Sequence, residues 1–318
     1  MSISKVLECI RQGKNFLITS HMNLEGDALG SEIAVSYLLK KMKKNCFICN
    51  STPIPRIYNF LPSLDIVQTV DKKMKNFDTS IVLDCSNLDR AGKVKDFVIK
   101  SGAIINIDHH MDNNNFGDIN WVKPGASSAG EMIYELFKKA KIGLNKDIAL
   151  CLYAAILTDT GSFRYRNTTS DTHMIAGNLI KCGIRPEEVF RKIYESHKLS
   201  RMKLLSLVLG GLMTEKDVAW ITVSGGTLKK TGASLDDVEG FIEMAASIEG
   251  IKVAVLFQEI EKGKIKIGFR SRGNVNVSKI ASYFGGGGHF AASGCILRKN
   301  LRTAQKEVLD KIREYLGK

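Results

Sequence analysis

In the segment TSHMNLEGDALGS, residues 19–31, His21, Glu25 and Asp27 lie within seven residues, directly after the apolar run Phe16-Leu17-Ile18. Similar groups follow: Asp84 at the end of SIVLDC, Asp108-His109-His110 at the end of AIINIDHH, and Asp159 in LTDTGSF. Imidazole and carboxylate without thiolate are a ligand set for a divalent first-row ion such as manganese. Several carboxylates gathered in a low dielectric repel one another unless a cation sits among them. The acids suffice for two ions, and Asp84, alone on its strand end, is the candidate to bridge them. Each member also has a plain reading. EGD is a turn into a helix with Asp27 as its N-cap, and Asp84 is the end of a strand. The DHH triplet carries more weight, because three consecutive titratable residues closing an apolar strand have little structural use.

A parallel sheet would bring these residues together. Short apolar runs (16–21, 46–50, 80–85, 103–110) end at polar or acidic residues, and helical patterns at 28–44 and 129–140 fall among them. The alternation predicts an α/β fold, a parallel sheet with helices on both faces. Ligands of such sheets bind beyond the carboxyl ends of the strands, where His21, Asp84 and the triplet fall, at the ends of the first, third and fourth strands. The stretch IALCLYAAIL is too long for a typical strand and reads as a buried helix. Residues 186–210 read as one or two charged helices, with Pro186 at a first helical position. From Val218 the chain turns β-rich (VAWITV, VAVLFQEI, KIKIGFR), with helical stretches at 235–247, 277–284 and 303–315. This predicts a smaller mixed α/β domain. The expected division is 1–185, a helical linker 186–214, and 215–318.

The length of 318 residues agrees with two domains. Hydrophobic content of 44% and charged content of 25% are ordinary for a soluble protein. No segment approaches the roughly 20 apolar residues of a membrane span, and the start lacks the features of a signal peptide. A cytoplasmic protein without a membrane partner is expected. Seven scattered cysteines do not suggest a disulfide framework, and Cys46 and Cys49 alternate within NCFICN as in a buried strand. The net charge of +13 has the sign expected of a protein that meets phosphates, although there is no basic tail.

Several segments could bind such a phosphate. Gly285, Gly286, Gly287, Gly288 and His289 are too glycine-rich for a helix or strand interior. They read as a backbone nest for an anion with His289 as an added donor, a hinge being the alternative. In GFRSRG, Arg270 and Arg272 at alternate strand positions would share a sheet face, which suits bidentate phosphate recognition or, nearly as well, a solvated surface. Ser127 and Ser128 precede a helix, as caps or as phosphate ligands. Arg90 is a weaker phosphate candidate.

HMNLEGDALGS, VLDCSNLDRAG, NIDHHMDN and LTDTGSFRY, in that order, resemble the motifs of the DHH phosphoesterases, and GGGGHFAASG at 285–294 resembles the signature of the DHH-associated C-terminal domain. Within the family the chain is similar to oligoribonucleases (nanoRNases) that also act as 3′-phosphoadenosine 5′-phosphate phosphatases. The resemblance implies a catalytic domain followed by a substrate-binding domain. It implies one manganese on His21, Glu25 and Asp84 and another on Asp27, Asp84, His109 and Asp159. His110 would face the scissile phosphate, and Asp108 would orient a ligand histidine. The glycine loop, with Arg270 and Arg272, would hold the substrate's nucleotide or terminal phosphate, and water activated by the two ions would attack phosphorus. One position departs: the family usually has Pro-Asp-Gly-Asp where this chain has Leu24-Glu25-Gly26-Asp27. Glutamate carries the same charge on a stem longer by roughly 1.5 Å.

The expected function is manganese-dependent removal of mononucleotides from very short RNA, with removal of the 3′-phosphate from 3′-phosphoadenosine 5′-phosphate beside it. The chain has no extension or basic tail to track a longer strand. A rival within the family is degradation of linear or cyclic dinucleotide messengers. A rival of another class is a non-catalytic nucleotide- or RNA-binding module with Glu25 as the scar of a decaying metal site, but every other ligand candidate is present. The expected partner is short single-stranded RNA or a nucleotide, and a homodimer is left open.

Overall fold

The computed structural model describes residues 3–70, 77–288 and 290–317. The chain divides into two compact units, Met1–Ser196 and His197–Lys318. In the first, strands β1 (Asn15–Thr19), β2 (Asn45–Asn50), β3 (Val67–Thr69), β4 (Thr79–Leu83), β5 (Ala103–Asp108) and β6 (Ile119–Val122) form a wholly parallel sheet in the order β3-β2-β1-β4-β5-β6. Its helices are α1 (Ile3–Gln12), α2 (Gly26–Lys41), α3 (Lys95–Val98), α4 (Ala129–Ala140), α5 (Lys146–Asp159), α6 (Ser170–Ile180) and α7 (Pro186–Tyr194).

Alternate strand residues feed two cores. Phe16, Ile18, Ile81 and Leu83 pack with side chains of α2, α4 and α5, while Leu17, Cys49 and Val82 pack with Val94 and Val98 on the other face. Both faces are covered, so the central strands carry consecutive apolar residues (Phe16-Leu17-Ile18, Ile81-Val82-Leu83) and not an alternation, as buried parallel strands do. The chain builds outward from β1 through β2 to β3, then returns to place β4 on the other side of β1. The crevice such a reversal opens at the carboxyl ends of β1 and β4 is where sheets of this kind take ligands. The short β3 was not foreseen, so the strands bearing the motifs are the first, fourth and fifth.

Three helices behind this crevice approach one another through glycines. A Cβ on Gly26 would lie 2.5 Å from Thr158 Oγ1, and one on Gly30 would lie 2.4 Å from the Cys151 carbonyl oxygen. A Cβ on Gly130 would meet the Ala155 Cβ at 2.5 Å. Gly26 therefore separates the two acids of the first motif because α5 passes there. Helix α5 is buried on nearly every side, which accounts for its lack of a polar face.

In the second unit, β7 (Met213–Glu215), β8 (Val218–Val223), β9 (Val253–Glu261), β10 (Lys264–Ser271), β11 (Gly287–Gly288) and β12 (Ala292–Leu297) form a mixed sheet in the order β11-β12-β10-β9-β8-β7, parallel only between β8 and β9. Its helices are α8 (Leu199–Gly210), α9 (Gly225–Thr231), α10 (Phe241–Ala246), α11 (Val277–Tyr283) and α12 (Leu301–Tyr315). Val253, Val255 and Phe257 pack against Ile280, Val308 and Ile312, while Ala254 and Leu256 face Leu204, Val208 and Phe241. The stretch 235–247 is not one helix. A 3-10 turn, Leu235–Val238, is separated from α10 by Gly240, whose φ of 80° breaks the helical path. The two helices of 186–210 belong to different units: α7 buries Val189 and Ile193 in the first core, and α8 buries Leu204 and Val208 in the second. Among the described residues no helix is long and apolar enough to cross a membrane.

Candidate metal centre

The acids and histidines converge at the carboxyl edge of the first sheet. Potential ligand atoms of His21, Glu25 and Asp84 lie within 4.8 Å of one another, as do those of Asp27, His109 and Asp159, and those of Asp84, His109 and His110. Asp84 sits between the groups. Its Oδ2 is 3.2 Å from His21 Nε2, and its Oδ1 is 3.4 Å from His109 Nε2. His109 Nε2 also lies 3.5 Å from Asp159 Oδ2 and 3.8 Å from Asp27 Oδ2. Asp84 adopts a φ of 50°, a left-handed backbone that costs a non-glycine residue about 1–3 kcal/mol and tends to occur at functional sites. Its amide donates to the Ile107 carbonyl (3.0 Å), which fixes where the side chain starts.

Local structure aims each side chain. Asp27, fully buried in the first turn of α2, accepts from the backbone amides of Ala129 (2.6 Å, Oδ2) and Gly130 (2.7 Å, Oδ1), with Ser31 Oγ donating at 3.1 Å. The N-terminus of α4 thus holds a carboxylate, as unsatisfied amides and helix dipole favour. The N-cap of α2 is Glu25 and not Asp27: its Oε1 accepts from the Ala28 amide at 2.8 Å. The longer stem reaches this amide and still brings Glu25 into the group with His21 and Asp84. Asn167 Nδ2 donates to the Asp159 carbonyl oxygen at 3.1 Å.

The role expected of Asp108 needs correction. It does not orient His109, whose Nδ1 donates to the Ala126 carbonyl at 3.3 Å. His110 Nδ1 donates to Asp108 Oδ1 at 2.7 Å, and Asn113 Nδ2 donates to Asp108 Oδ2. The contact joins residues two apart, where the chain leaves β5 and His110 folds back over the strand end.

Electrostatics reflect crowded acids. Burial, then the Asp84 charge, pushes Glu25 up to about 8. Burial likewise raises Asp27, with Asp84 and Asp159 adding to it, and pushes Asp159 up to about 6. Burial opposes the charged form of Asp84 too, but hydrogen bonds and charges from His109 and His21 outweigh it and hold Asp84 well below the usual carboxylate range. His109 rises to about 10 despite its burial, because Asp84, Asp27 and Asp159 surround it. A divalent cation would relieve this repulsion, and a set of imidazoles and carboxylates without thiolate fits such an ion.

Other candidates are placed differently. Ser127 and Ser128 are fully buried: Ser128 Oγ caps α4 by accepting from the Glu131 amide, and Ser127 Oγ donates to Glu131 Oε2. Capping accounts for Ser128 and the Glu131 carboxylate engages Ser127, while Asp27 occupies the helix end that a phosphate would take. Arg90 is half-buried, its carbonyl accepting from the Met22 amide (2.7 Å) beside His21 and its Nη1 donating to Ser86 Oγ.

In the second unit, Arg270 lies within β10 and Arg272 just past its end at Ser271, where the Ser271 hydroxyl donates to the Val275 carbonyl and the Arg272 amide donates to the Lys252 carbonyl (2.9 Å). Arg270 is paired with Glu243 (2.9 Å); Arg272 is exposed, without an acidic partner among the described residues, and lines a cavity of about 330 Å³ with Lys252, Gly273, Asn274 and Val275. The glycine run is not a free nest throughout. The Gly285 and Gly286 amides donate to the Ser282 and Ala281 carbonyls at the end of α11, while Gly287 and Gly288 form an edge strand pairing with Gly294 and Ser293. A Cβ on Gly286 would lie 2.2 Å from the Gly294 carbonyl oxygen, so close backbone approach requires glycine there. His289 lies outside the described residues. The Ala129 and Gly130 amides, Asn113 and Asn167 were not anticipated. Only the MDNNN run after the DHH triplet hinted at one of them.

Residues 15–156 match the DHH family N-terminal domain, and residues 218–318 match the DHHA1 domain. The chain is 34% identical to the bifunctional oligoribonuclease and PAP phosphatase NrnA of Bacillus subtilis, over 92% of each chain. It is 29% identical to the protein of the same name from Thermus thermophilus, over 99% of this chain and 93% of that one. Among solved structures, an exopolyphosphatase-related protein from Bacteroides fragilis superposes with a TM-score of 0.91 at 26% identity, covering 98% of this chain and 96% of the other. The chain therefore belongs to the DHH phosphoesterase family, a family of hydrolases, with a DHH domain followed by a DHHA1 domain.

Proposed function

We propose that the chain is a manganese-dependent phosphodiesterase that shortens very short RNA to mononucleotides and removes the 3′-phosphate of 3′-phosphoadenosine 5′-phosphate, using two metal ions. The observation that carries this reading is the division of Asp84: one carboxylate oxygen faces His21 and the other faces His109. The reading assigns His21, Glu25 and Asp84 to one ion and Asp27, Asp84, His109 and Asp159 to the other. Such ions, when bound, polarise phosphoryl oxygens and lower the pKa of water.

The chain's own residues supply the rest. Asp108 orients His110 by accepting a hydrogen bond from its Nδ1–H, which leaves Nε2 as the ring nitrogen available to the substrate. Burial opposes the charged ring, but the Asp108 hydrogen bond and the Asp84 and Asp108 charges raise the His110 pKa above its ordinary value. A protonated His110 presents an N–H to the phosphoryl or leaving oxygen, which stabilises charge developing there. In the second unit, Arg272 is assigned to the substrate's remote phosphate. The NrnA relatives' names supply the substrate class.

The test is hydrolysis of a 5′-phosphorylated RNA trinucleotide with manganese, with and without a chelator. Mononucleotide release that the chelator stops is expected. Asp84→Asn should lose turnover and bind fewer ions, since both groups share this residue. Near-normal activity in that variant would sink the two-ion reading.

A further inference from the structure

Glu32 lies on α2, fully buried, with no cationic partner among the described residues. Acidic side chains are rarely buried so completely without a specific partner. Its Oε2 accepts from Asn50 Nδ2 at 2.8 Å. That amide cannot be turned over without loss. Asn50 Oδ1 accepts from the Ser20 backbone amide (3.4 Å) and the Thr19 hydroxyl (3.3 Å), and a backbone N–H can only donate. Asn50 therefore ties Glu32 to the end of β1, at the residue before His21.

Three buried atoms of Glu32, Ser20 and the next residue, Glu32 Oε1, Ser20 Oγ and His21 Nδ1, lack a hydrogen-bond partner of ordinary geometry, and the Ser20 hydroxyl is near enough to Glu32 to favour its ionised form. Buried polar atoms are rarely left so. The three complement one another. An ionised carboxylate oxygen only accepts, a hydroxyl both accepts and donates, and in a neutral imidazole Nδ1 donates only in the tautomer that leaves Nε2 with a lone pair; burial lifts the Glu32 pKa to about 7, against which hydrogen bonds from Asn50 and Ser20 favour the ionised form. His21 Nε2 is the atom that faces Asp84 Oδ2. If Nε2 carried the proton it would donate to Asp84 and could not bind a cation.

We propose that Glu32 is a positioning residue for His21, drawing the ring proton to Nδ1 through the Ser20 hydroxyl, directly or across one ordered water, so that Nε2 is free to bind metal. This rests on the reading of His21 as a ligand. Outer partners of this kind set the tautomer and orientation of metal-binding histidines generally.

Glu32→Gln tests it. Because Asn50 must keep donating through Nδ2, the new carbonyl takes the place of Oε2, and the new amide NH2 faces Ser20 and His21. An acceptor becomes a donor with almost no change of shape. Manganese titrated into metal-free protein should bind about 10–100-fold more weakly at one of two sites, and nitrogen-15 spectra should show His21 moving toward the Nε2–H tautomer. The thermal midpoint of the metal-free variant should not fall, whereas a merely structural role would lower it and spare metal affinity. Wild-type protein and His21→Ala are titrated beside it. If the wild type binds no manganese, or His21→Ala binds as the wild type does, the ligand reading itself has failed. If those two behave as expected while Glu32→Gln keeps wild-type affinity and an unchanged His21 spectrum, the positioning role is overturned. Should Glu32→Gln not fold, Ser20→Ala, which removes only the hydroxyl, should weaken the same site, and wild-type affinity there would overturn the proposal.

Discussion

Glu25 shows how one side chain meets two demands. Its Oε1 caps α2 through the Ala28 amide, and its carboxylate also stands in the group with His21 and Asp84. Burial and Asp84 raise it to about 8, and burial raises Asp159 to about 6. Metal binds the deprotonated carboxylates, so protons compete with it on the acid side of these values. Manganese affinity should therefore rise through about pH 6 to 8 as Asp159 and Glu25 ionise, and go on rising toward about pH 10, where His109 gives up its proton, with protons released on binding. Calorimetry in buffers of different ionisation enthalpy reads both, and a pH-independent affinity would contradict it. Asp108 makes a second residue-scale prediction. Its charge and hydrogen bond hold the His110 pKa up against burial, so Asp108→Asn should lower that pKa and His110 should lose its proton at lower pH. The basic limb of kcat against pH should move toward acid, and a limb that stays put would remove His110 as the proton-bearing group.

At the scale of elements, the centre depends on how closely α2, α4 and α5 pack. Gly30 meets a backbone carbonyl oxygen of α5, which cannot swing aside as a side chain can. Gly30→Ala should destabilise the protein by about 1–3 kcal/mol through overpacking, read as a lower urea midpoint. An unchanged midpoint would show that α2 and α5 separate without cost. The glycines of GDALGS were visible as glycines, but their reason was not, because the obstructing atoms lie on α5. The same holds for Asp27. A helix N-terminus at Ser128 is recognisable from its capping residue, whereas the use of its Ala129 amide as the seat of an acid 102 positions before Ala129 is a matter of packing.

For the molecule as a whole, the proposed division of labour assigns cutting to the first unit and grip on the substrate to the second. Of the two arginines of GFRSRG, Arg272 is exposed and has no acidic partner among the described residues, while Arg270 is engaged by Glu243. Arg272→Ala should raise KM about tenfold and leave kcat within about twofold, the pattern of a group that binds the substrate equally in ground and transition states. Initial rates over a range of trinucleotide concentrations measure it, and an unchanged KM would exclude Arg272 from substrate binding.

The amino-acid sequence by itself determined the α/β architecture, the apolar strands ending in acids and histidines, and the identities of the residues that meet at the sheet edge. These follow from local rules, periodicity and ligand chemistry, that act over a few residues. The tertiary structure alone decided that Asp84 offers one oxygen to each side, that α4 holds Asp27, that Asp108 takes His110 and not His109, and that the Gly285 and Gly286 amides are spent on α11. A hydrogen bond depends on distance and direction between atoms, and for groups separated by tens of residues only the packing of whole helices and strands sets those quantities.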